Sequence, residues 1–138
     1  MVVVAVIGVL AAIAIPAVRK LQQKSRAARF LSDLRTFAQA FETYALQNGR
    51  WPADANRGVV PTGMAADFSV AAWTARSTLG NYWDWDYGVN GVTAAISMPD
   101  VTVTDAEMVE IDRQIDNGNL NTGNFYKTGT RFIYLLAR

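Results

Sequence analysis

The chain has no cysteine and no histidine among its 138 residues. Their absence excludes disulfide bonds, cysteine nucleophiles, Ser-His-Asp triads, and zinc or haem sites that need thiolate or imidazole ligands. Charged residues are only 18% of the chain and the net charge is +1, so no overall field attracts nucleic acid. We therefore expect one domain that is neither an enzyme nor a nucleic-acid-binding protein.

An uncharged apolar segment fills the first 15 residues, where Gly8 is the only residue without an apolar side chain. As a helix it would reach about 22 Å, short of the ~30 Å hydrocarbon core of a bilayer. No basic residue precedes it and no clear cleavage site follows it, as a signal peptide would require. Pro16 comes next, and a helical pattern continues beyond this proline.

Apolar residues recur at steps of four and three in the second half of this pattern, which predicts one buried helix face. No glycine or proline interrupts residues 17–48, and Asn48-Gly49 is a typical helix end. A single helix over residues 1–48 would be about 70 Å long, whereas a globule of this size is about 30 Å across. Its first half must protrude and be covered by a bilayer or by other copies. The residues predicted to pack on a sheet are Phe30, Leu34, Phe37, Phe41 and Tyr44.

The charges divide along the chain. Residues 1–50 carry seven basic and two acidic side chains, a net charge of +5, and the remaining residues carry a net charge of −4. The basic run from Arg19 to Arg29 lacks the interleaved aromatic residues of a nucleic-acid stacking surface. One hypothesis is that the basic helix of one copy faces the acidic part of the next copy.

The first 37 residues, MVVVAVIGVLAAIAIPAVRKLQQKSRAARFLSDLRTF, resemble the N-terminal helix of type IV pilins and type II secretion pseudopilins. In that family a Phe-Thr-Leu-x-Glu-Leu start precedes such a run, and proline stands at the place of Pro16. This sequence begins inside that motif, without the glutamate and the N-methylated first residue. We expect the natural start about six residues upstream, which would give about 21 apolar residues, enough to span a bilayer.

The resemblance implies an α+β fold in which a long protruding N-terminal helix packs on a small antiparallel sheet. Residues 1–18 would form the membrane and filament-core helix, residues 19–48 its amphipathic continuation, and residues 49–138 the globular head. The filament-core residues expected from this are Met1, Val4, Ile7, Gly8, Leu10, Ile13, Ile15 and Pro16.

The implied function is that of a structural subunit of a homo-oligomeric helical filament, first of a type II secretion pseudopilus. The absence of cysteine and the Gly49-Arg50-Trp51-Pro52 element favour that choice over a type IV pilus subunit for adhesion or motility. The partners would be inner-membrane lipid before assembly, minor pseudopilins, an assembly ATPase and a prepilin peptidase.

The resemblance places the subunit in the bacterial inner membrane by one helix, with its head in the periplasm and the filament in the periplasm or outside the cell. The positive-inside rule applied to the Arg19–Arg29 run alone favours the opposite orientation. A membrane-anchored periplasmic binding module is the competing class of protein.

The head is predicted to contain a hairpin around Asn90-Gly91, in which Val92 and Ile96 share a face. A capping box at Thr104 to Glu107 predicts the start of a second long helix. The predicted elements are helices over residues 69–79 and 105–115 and strands over residues 81–89, 92–98 and 131–137, the last central in its sheet.

Two clusters in the head are candidates for chemistry or binding. Asp84 and Asp86 share one strand face, where they are either a catalytic carboxylate pair or a solvent-facing flank. The aromatic residues form either a ligand-stacking platform or core filling. They are Trp51, Trp73, Tyr82, Trp83, Trp85 and Tyr87.

No cofactor is required by this function, but one loop is a candidate calcium site. Oxygen-bearing side chains crowd the chain after residue 111, and calcium prefers such ligands. The resemblance supports this, since major pseudopilins commonly hold calcium in their C-terminal loops. The alternative is an Asn/Gly turn cluster with no ion. The proposed ligands are Asp112, Asp116, Asn119 and Asn121, with Asp100 and Asp105 in reserve.

Overall fold

A single helix, α1 (Val2–Asn48), opens the structure, which is a computed structural model that describes residues 2–138. The helix runs without interruption through Pro16 and ends at Asn48. Gly49 follows with φ of +64°, a left-handed conformation that glycine adopts without steric cost. The predicted length of about 70 Å and the predicted end are therefore confirmed.

Four antiparallel strands form one sheet in the order β1 (Asp84–Tyr87), β2 (Ala94–Pro99), β4 (Arg131–Ala137) and β3 (Phe125–Thr128). The position of β4 between two partners confirms the central strand predicted from its apolar sequence. The two-residue turn Gly129–Thr130 joins β4 to β3, a strand that was not predicted. The elements after α1 are α2 (Val70–Thr74), β1 (Asp84–Tyr87), β2 (Ala94–Pro99), α3 (Asp105–Ile115), β3 (Phe125–Thr128) and β4 (Arg131–Ala137).

The second half of α1 lies across one face of this sheet through aromatic contacts. Phe30 stacks on Trp83 with ring centroids 5.1 Å apart, and Phe41 stacks on Trp85 at 3.8 Å. Phe37 packs edge-on against Trp83 at 5.1 Å. Apolar burial of this kind is the main favourable term in folding. The predicted helix–sheet core is confirmed, with Phe30, Leu34, Phe37 and Phe41 buried and Tyr44 half-buried beside them.

The helix α3 begins as its sequence predicts. Thr104 accepts a hydrogen bond from the backbone N–H of Glu107, and the Glu107 side chain accepts one from the backbone N–H of Thr104. Two otherwise unpaired donors of the first turn are satisfied by this exchange. Met108 and Ile111 then turn into the core, so α3 closes one end of the helix–sheet interface.

Two local predictions are wrong. The helix expected over residues 69–79 is only one turn and a half long, because Ala75 already has an extended backbone. The Asn90-Gly91 turn does form, with both residues at positive φ and the N–H of Val92 donating to the carbonyl of Val89. However, the strands it joins are separated by six residues, and Val92 packs on the opposite sheet face from Ile96.

Candidate functional site

The first 17 described residues of α1, Val2–Val18, are apolar and exposed and touch no other part of the chain; we call them the apolar stem. Ile7 is 60% exposed and Ile13 is 67% exposed. The stem is long and apolar enough to cross a membrane, and none of it is buried. Soluble monomers rarely expose an apolar surface of this size, so the stem must be covered by lipid or by protein.

The structure places almost all of the predicted filament-core residues on this stem. Met1 lies outside the described residues. Gly8 has open space around it, so a larger side chain there would meet no other atom of the same chain. The exposed members of the set are Val4, Ile7, Gly8, Leu10, Ile13, Ile15 and Pro16.

Basic side chains follow the stem directly; we call Arg19, Lys20, Lys24, Arg26 and Arg29 the basic collar. All five are exposed. In the described part of the chain, Arg26 is the one member that makes an ion pair, with Glu107 of α3 at 3.5 Å. The collar therefore carries most of its positive charge into solvent where α1 leaves the head.

Asp84 and Asp86 are buried, so the prediction of a solvent-facing flank is wrong. A guanidinium nitrogen of Arg131 donates to Asp84 at 2.8 Å, to Asp86 at 3.3 Å and to Ser97 at 2.6 Å. Asp86 also accepts a hydrogen bond from the side chain of Asn90 at 2.9 Å. These side chains lie on the sheet face away from α1 and form a buried ion cluster.

Burial raises the pKa of Asp84, and the nearby charge of Asp86 raises it further. The hydrogen bond and positive charge of Arg131, together with the charge of Arg57, act in the opposite direction. Two ionised carboxylates that share one guanidinium give the cluster a net charge of −1. Burial disfavours this uncompensated charge. The cluster consequently has the character of a structural ion network that locks β1, β2 and β4 together.

Asp112 is the other buried carboxylate, in the last turn of α3. It is 0% exposed, and within residues 2–138 neither of its oxygens has a hydrogen-bond partner. Burial and the charge of Asp116 raise the pKa of Asp112, while the nearby backbone N–H groups of residues 117–119 oppose this. An ionised carboxylate so placed is costly unless a cation or better hydrogen bonds satisfy it.

Two of the other proposed calcium ligands, Asp116 and Asn119, lie close enough to Asp112 to act on its pKa. Asp116 accepts backbone N–H bonds from Asn124 and Phe125, and Asn119 accepts one from Asn121 at 3.1 Å. Asp105 lines one cavity together with Asn119 and Asn121, where its carboxylate is paired with Lys127, whereas Asp100 lies beside Arg57. Among the residues that the structure describes, no group of three or more acidic, cysteine or histidine side chains could hold a metal. A cation here would thus depend on two carboxylates supplemented by amide and backbone oxygens, a donor set that fits calcium.

Three of the four tryptophans are core residues, so the hypothesis of a ligand-stacking platform is wrong for them, while Trp51 and Tyr82 are half-buried and Tyr87 is exposed. Trp73, Trp83 and Trp85 are at most 1% exposed. The Trp73 indole N–H donates to the carbonyl of Val59 at 2.9 Å, and that of Trp85 donates to Pro52 at 3.2 Å. Their rings pack against aromatic side chains of α1 and are therefore not accessible to a ligand.

Two determinants escaped the sequence reasoning. The apolar sequence of β4 does not by itself predict that Arg131 organises an ion cluster with Asp84, 47 residues earlier in the chain. A lone basic residue entering an otherwise apolar strand was the signal, since such a residue needs a buried anion. The strand β3 has only four residues, too few for a clear alternating pattern. The glycine at position 129, which has positive φ, is the turn signal that indicates a hairpin there.

Comparison with known proteins supports the fold alone. No family model matches the chain, and no curated protein matches it. Among solved structures, the chain is similar to the major type IV pilin PilA1 from Clostridium difficile, with a TM-score of 0.61 and 13% identity. The match covers 84% of this chain and 97% of that chain. The fold is therefore the α+β fold of a type IV pilin, a long N-terminal helix on a four-stranded antiparallel sheet.

Proposed function

We propose that the protein is the structural subunit of a pilin-like filament, anchored in a membrane by its apolar stem before assembly. The observation that carries this proposal is the stem itself, 17 residues with no cover from the chain that bears it. The similarity to a type IV pilin supports the same proposal at the level of fold. The subunit needs no active site, because polymerisation is its activity.

Assembly would exchange lipid contacts of the stem for contacts with the stems of other copies. In lipid the hydrophobic effect does not drive this exchange, and close packing of helix backbones must do so. Ala5, Gly8 and Ala12 lie within about 60° of one another around α1, while Ala11 and Ala14 lie on other faces among larger residues. This side of the stem is where a neighbouring helix approaches most closely.

Replacing Gly8 and Ala12 together by leucine separates filament assembly from membrane anchoring. The variant stays apolar and should still resist extraction from membranes by alkaline carbonate. Since the larger side chains hold neighbouring helices apart, we expect the subunit concentration needed for assembly to rise about tenfold. The measurement is negative-stain electron microscopy of fibres from cells that express the complete gene with its assembly genes.

The matched control is Val3→Leu together with Ile7→Leu, which changes the same stem at positions about 100° or more away from Ala5, Gly8 and Ala12 around the helix. Equal fibre yields from the two double variants would contradict the proposed packing. If the wild-type protein formed no fibres while staying in the membrane, the filament proposal itself would be wrong.

A type II secretion pseudopilus is the filament we propose first, and a type IV pilus for adhesion or motility is the alternative. The cysteine-free composition and the Gly49-Arg50-Trp51-Pro52 element support the pseudopilus. Minor pseudopilins and a secretion ATPase would then be the partners, and the head would lie in the periplasm. Deleting the gene should abolish secretion of exported enzymes; loss of surface fibres and motility with intact secretion would favour the pilus.

The competing idea of a membrane-anchored binding module loses its main support, because Trp73, Trp83 and Trp85 are buried in the core. An acid–base enzyme built on Asp84 and Asp86 loses support similarly, since both carboxylates are engaged by Arg131. Neither idea is favoured by another described feature of the head.

We further propose that the loop after α3 binds calcium, with Asp112 as the central ligand and Asp116, Asn119 and Asn121 around it. The buried and unpartnered carboxylate of Asp112 supports this assignment. The ion would supply positive charge to that carboxylate and tie the end of α3 to the loop before β3. In a protein without disulfide bonds, such a tie would stabilise the C-terminal half of the head.

Calcium removal tests this site. The full chain in detergent, first stripped with EDTA, should gain about 2.7 kcal/mol of unfolding free energy when calcium reaches one hundred times its dissociation constant. The gain is read from thermal unfolding followed by tryptophan fluorescence. Asp112→Asn should abolish it, whereas Asp67→Asn, in an exposed loop, should not. An unchanged unfolding temperature in wild-type protein with calcium would show that the loop is a turn cluster.

A further inference from the structure

We infer that the basic collar binds the headgroups of anionic phospholipids at the membrane surface from which the head emerges. The inference rests on the proposed membrane anchoring of the stem. It adds a lipid preference to that anchor, carried by Arg19, Lys20 and Lys24 with a smaller contribution from Arg26 and Arg29.

The first argument is distance along the helix. The apolar stem ends at Val18, and α1 continues without a break. At 1.5 Å per residue, the Cα atoms of Arg19, Lys20 and Lys24 lie about 1.5, 3 and 9 Å beyond it. The headgroup layer on one side of a bilayer is about 5–7 Å thick. Three basic residues therefore enter or border that layer when the stem lies in the hydrocarbon.

The second argument is the direction of the side chains. Helical side chains tilt toward the N-terminus of their helix, which for α1 is the membrane side. Lysine and arginine also extend along apolar surface while they keep the charge in a polar layer. The ammonium and guanidinium groups of the collar accordingly point back toward the headgroups, and Arg26 and Arg29 are brought closer than their Cα positions suggest.

The third argument is the lack of competing partners. No acidic residue occurs among residues 1–32. Arg26 is paired with Glu107, and the charge of Arg29 opposes the burial that raises the pKa of Asp33. Lys20 and Lys24 line one cavity together with Glu107 and Glu110 of α3. In the part of the chain that the structure describes, Arg19, Lys20 and Lys24 nevertheless form no ion pair, so their charge is available to an external anion.

The arrangement of the collar around the helix decides between a lipid and a second copy. At 100° per residue its five members spread over about 220° of the circumference of α1. Headgroups surround an emerging helix on all sides and can meet such a spread. The acidic head of a neighbouring copy would meet one side only, so the earlier hypothesis of collar-to-head contacts accounts for part of the collar at most.

The test uses the full chain reconstituted at low density in phosphatidylcholine bilayers, with spin-labelled phosphatidylglycerol or phosphatidylcholine as the probe. We expect wild-type protein to select phosphatidylglycerol by at least about fivefold, the effect of one basic residue near the surface. Arg19→Gln with Lys20→Gln and Lys24→Gln should reduce the ratio to near one. The control, Arg50→Gln with Arg113→Gln and Arg138→Gln, removes the same charge from exposed positions of the head and should leave the ratio unchanged.

The selection should also fall in high salt and be independent of protein density, because each copy binds lipid by itself. Equal association of the two lipids with wild-type protein would overturn the inference while leaving membrane anchoring intact. Selection that appears only at high protein density would assign the collar to contacts between copies and also overturn it. Extraction of the wild-type chain by alkaline carbonate would overturn the anchoring proposal and the inference together.

Discussion

Replacing Arg131 by methionine should lower the free energy of unfolding by about 3–5 kcal/mol, because it leaves two carboxylates buried together without a cation. The side chains of Asp84 and Asp86 are only 11% and 4% exposed, so water solvates them poorly once the guanidinium is removed. The measurement is urea unfolding of the full chain in detergent, followed by tryptophan fluorescence at pH 7. The matched control is Lys127→Met, which breaks an exposed pair with Asp105 and should cost less than about 1 kcal/mol.

The same variant should show a changed pH dependence. Burial raises the pKa of Asp84 above 3.8, so the folded protein keeps a proton there that the unfolded chain has already released. The stability that this carboxyl contributes is complete below pH 3.8 and is lost as the pH rises through the raised pKa. Arg131 lowers the pKa of Asp84, so without it that pKa rises further and the variant should regain part of the lost stability as the pH is lowered from 7.

A rescue experiment completes this test. Adding Asp84→Asn and Asp86→Asn to Arg131→Met removes every charge of the cluster and should recover most of the lost stability. If Arg131→Met were as stable as wild-type protein at pH 7, or if the triple variant were no better than the single one, the ion cluster would not be the connection between β1 and β4 described above.

Replacing Phe37 by alanine should cost about 3–5 kcal/mol, the usual loss for a buried phenylalanine. Its ring packs against Trp73 at 5.0 Å, Trp83 at 5.1 Å and Phe68 at 5.3 Å. Removing it opens a cavity where α1, the sheet and the loop before α2 meet. The measurement is again urea unfolding, with near-ultraviolet circular dichroism to report the packing of the tryptophans.

Leu46→Ala is the control for this prediction, because Leu46 lies on the same helix and is 85% exposed. We expect this variant to unfold within about 0.5 kcal/mol of wild-type protein. A loss below 1 kcal/mol for Phe37→Ala would mean that α1 is held to the head by other contacts.

Local signals were sufficient for most of the elements. The helix end at Asn48-Gly49, the capping box of α3 and the turn at Asn90-Gly91 depend on residues close together in the chain, so their sequence predicts them. The end of α2 and the length of the β1–β2 connection depend on pairing with distant segments. For example, Arg76 bridges to Tyr82, and Ala55 bridges to Trp85. No local pattern contains that information.

The sequence by itself determined the long helix, its buried stripe and its apolar stem, because hydrophobic periodicity and the absence of breakers act along one continuous element. The tertiary structure alone decided which polar residues are buried. The alternation of Asp84 with tryptophans predicts a solvent-facing side chain, but β4 brings Arg131 beside it and buries it. Asp112 lies in the last turn of α3, and it is buried because the rest of the molecule packs around it. Burial of a charge depends on what folds against it from elsewhere in the chain, and that is a property of the packed molecule.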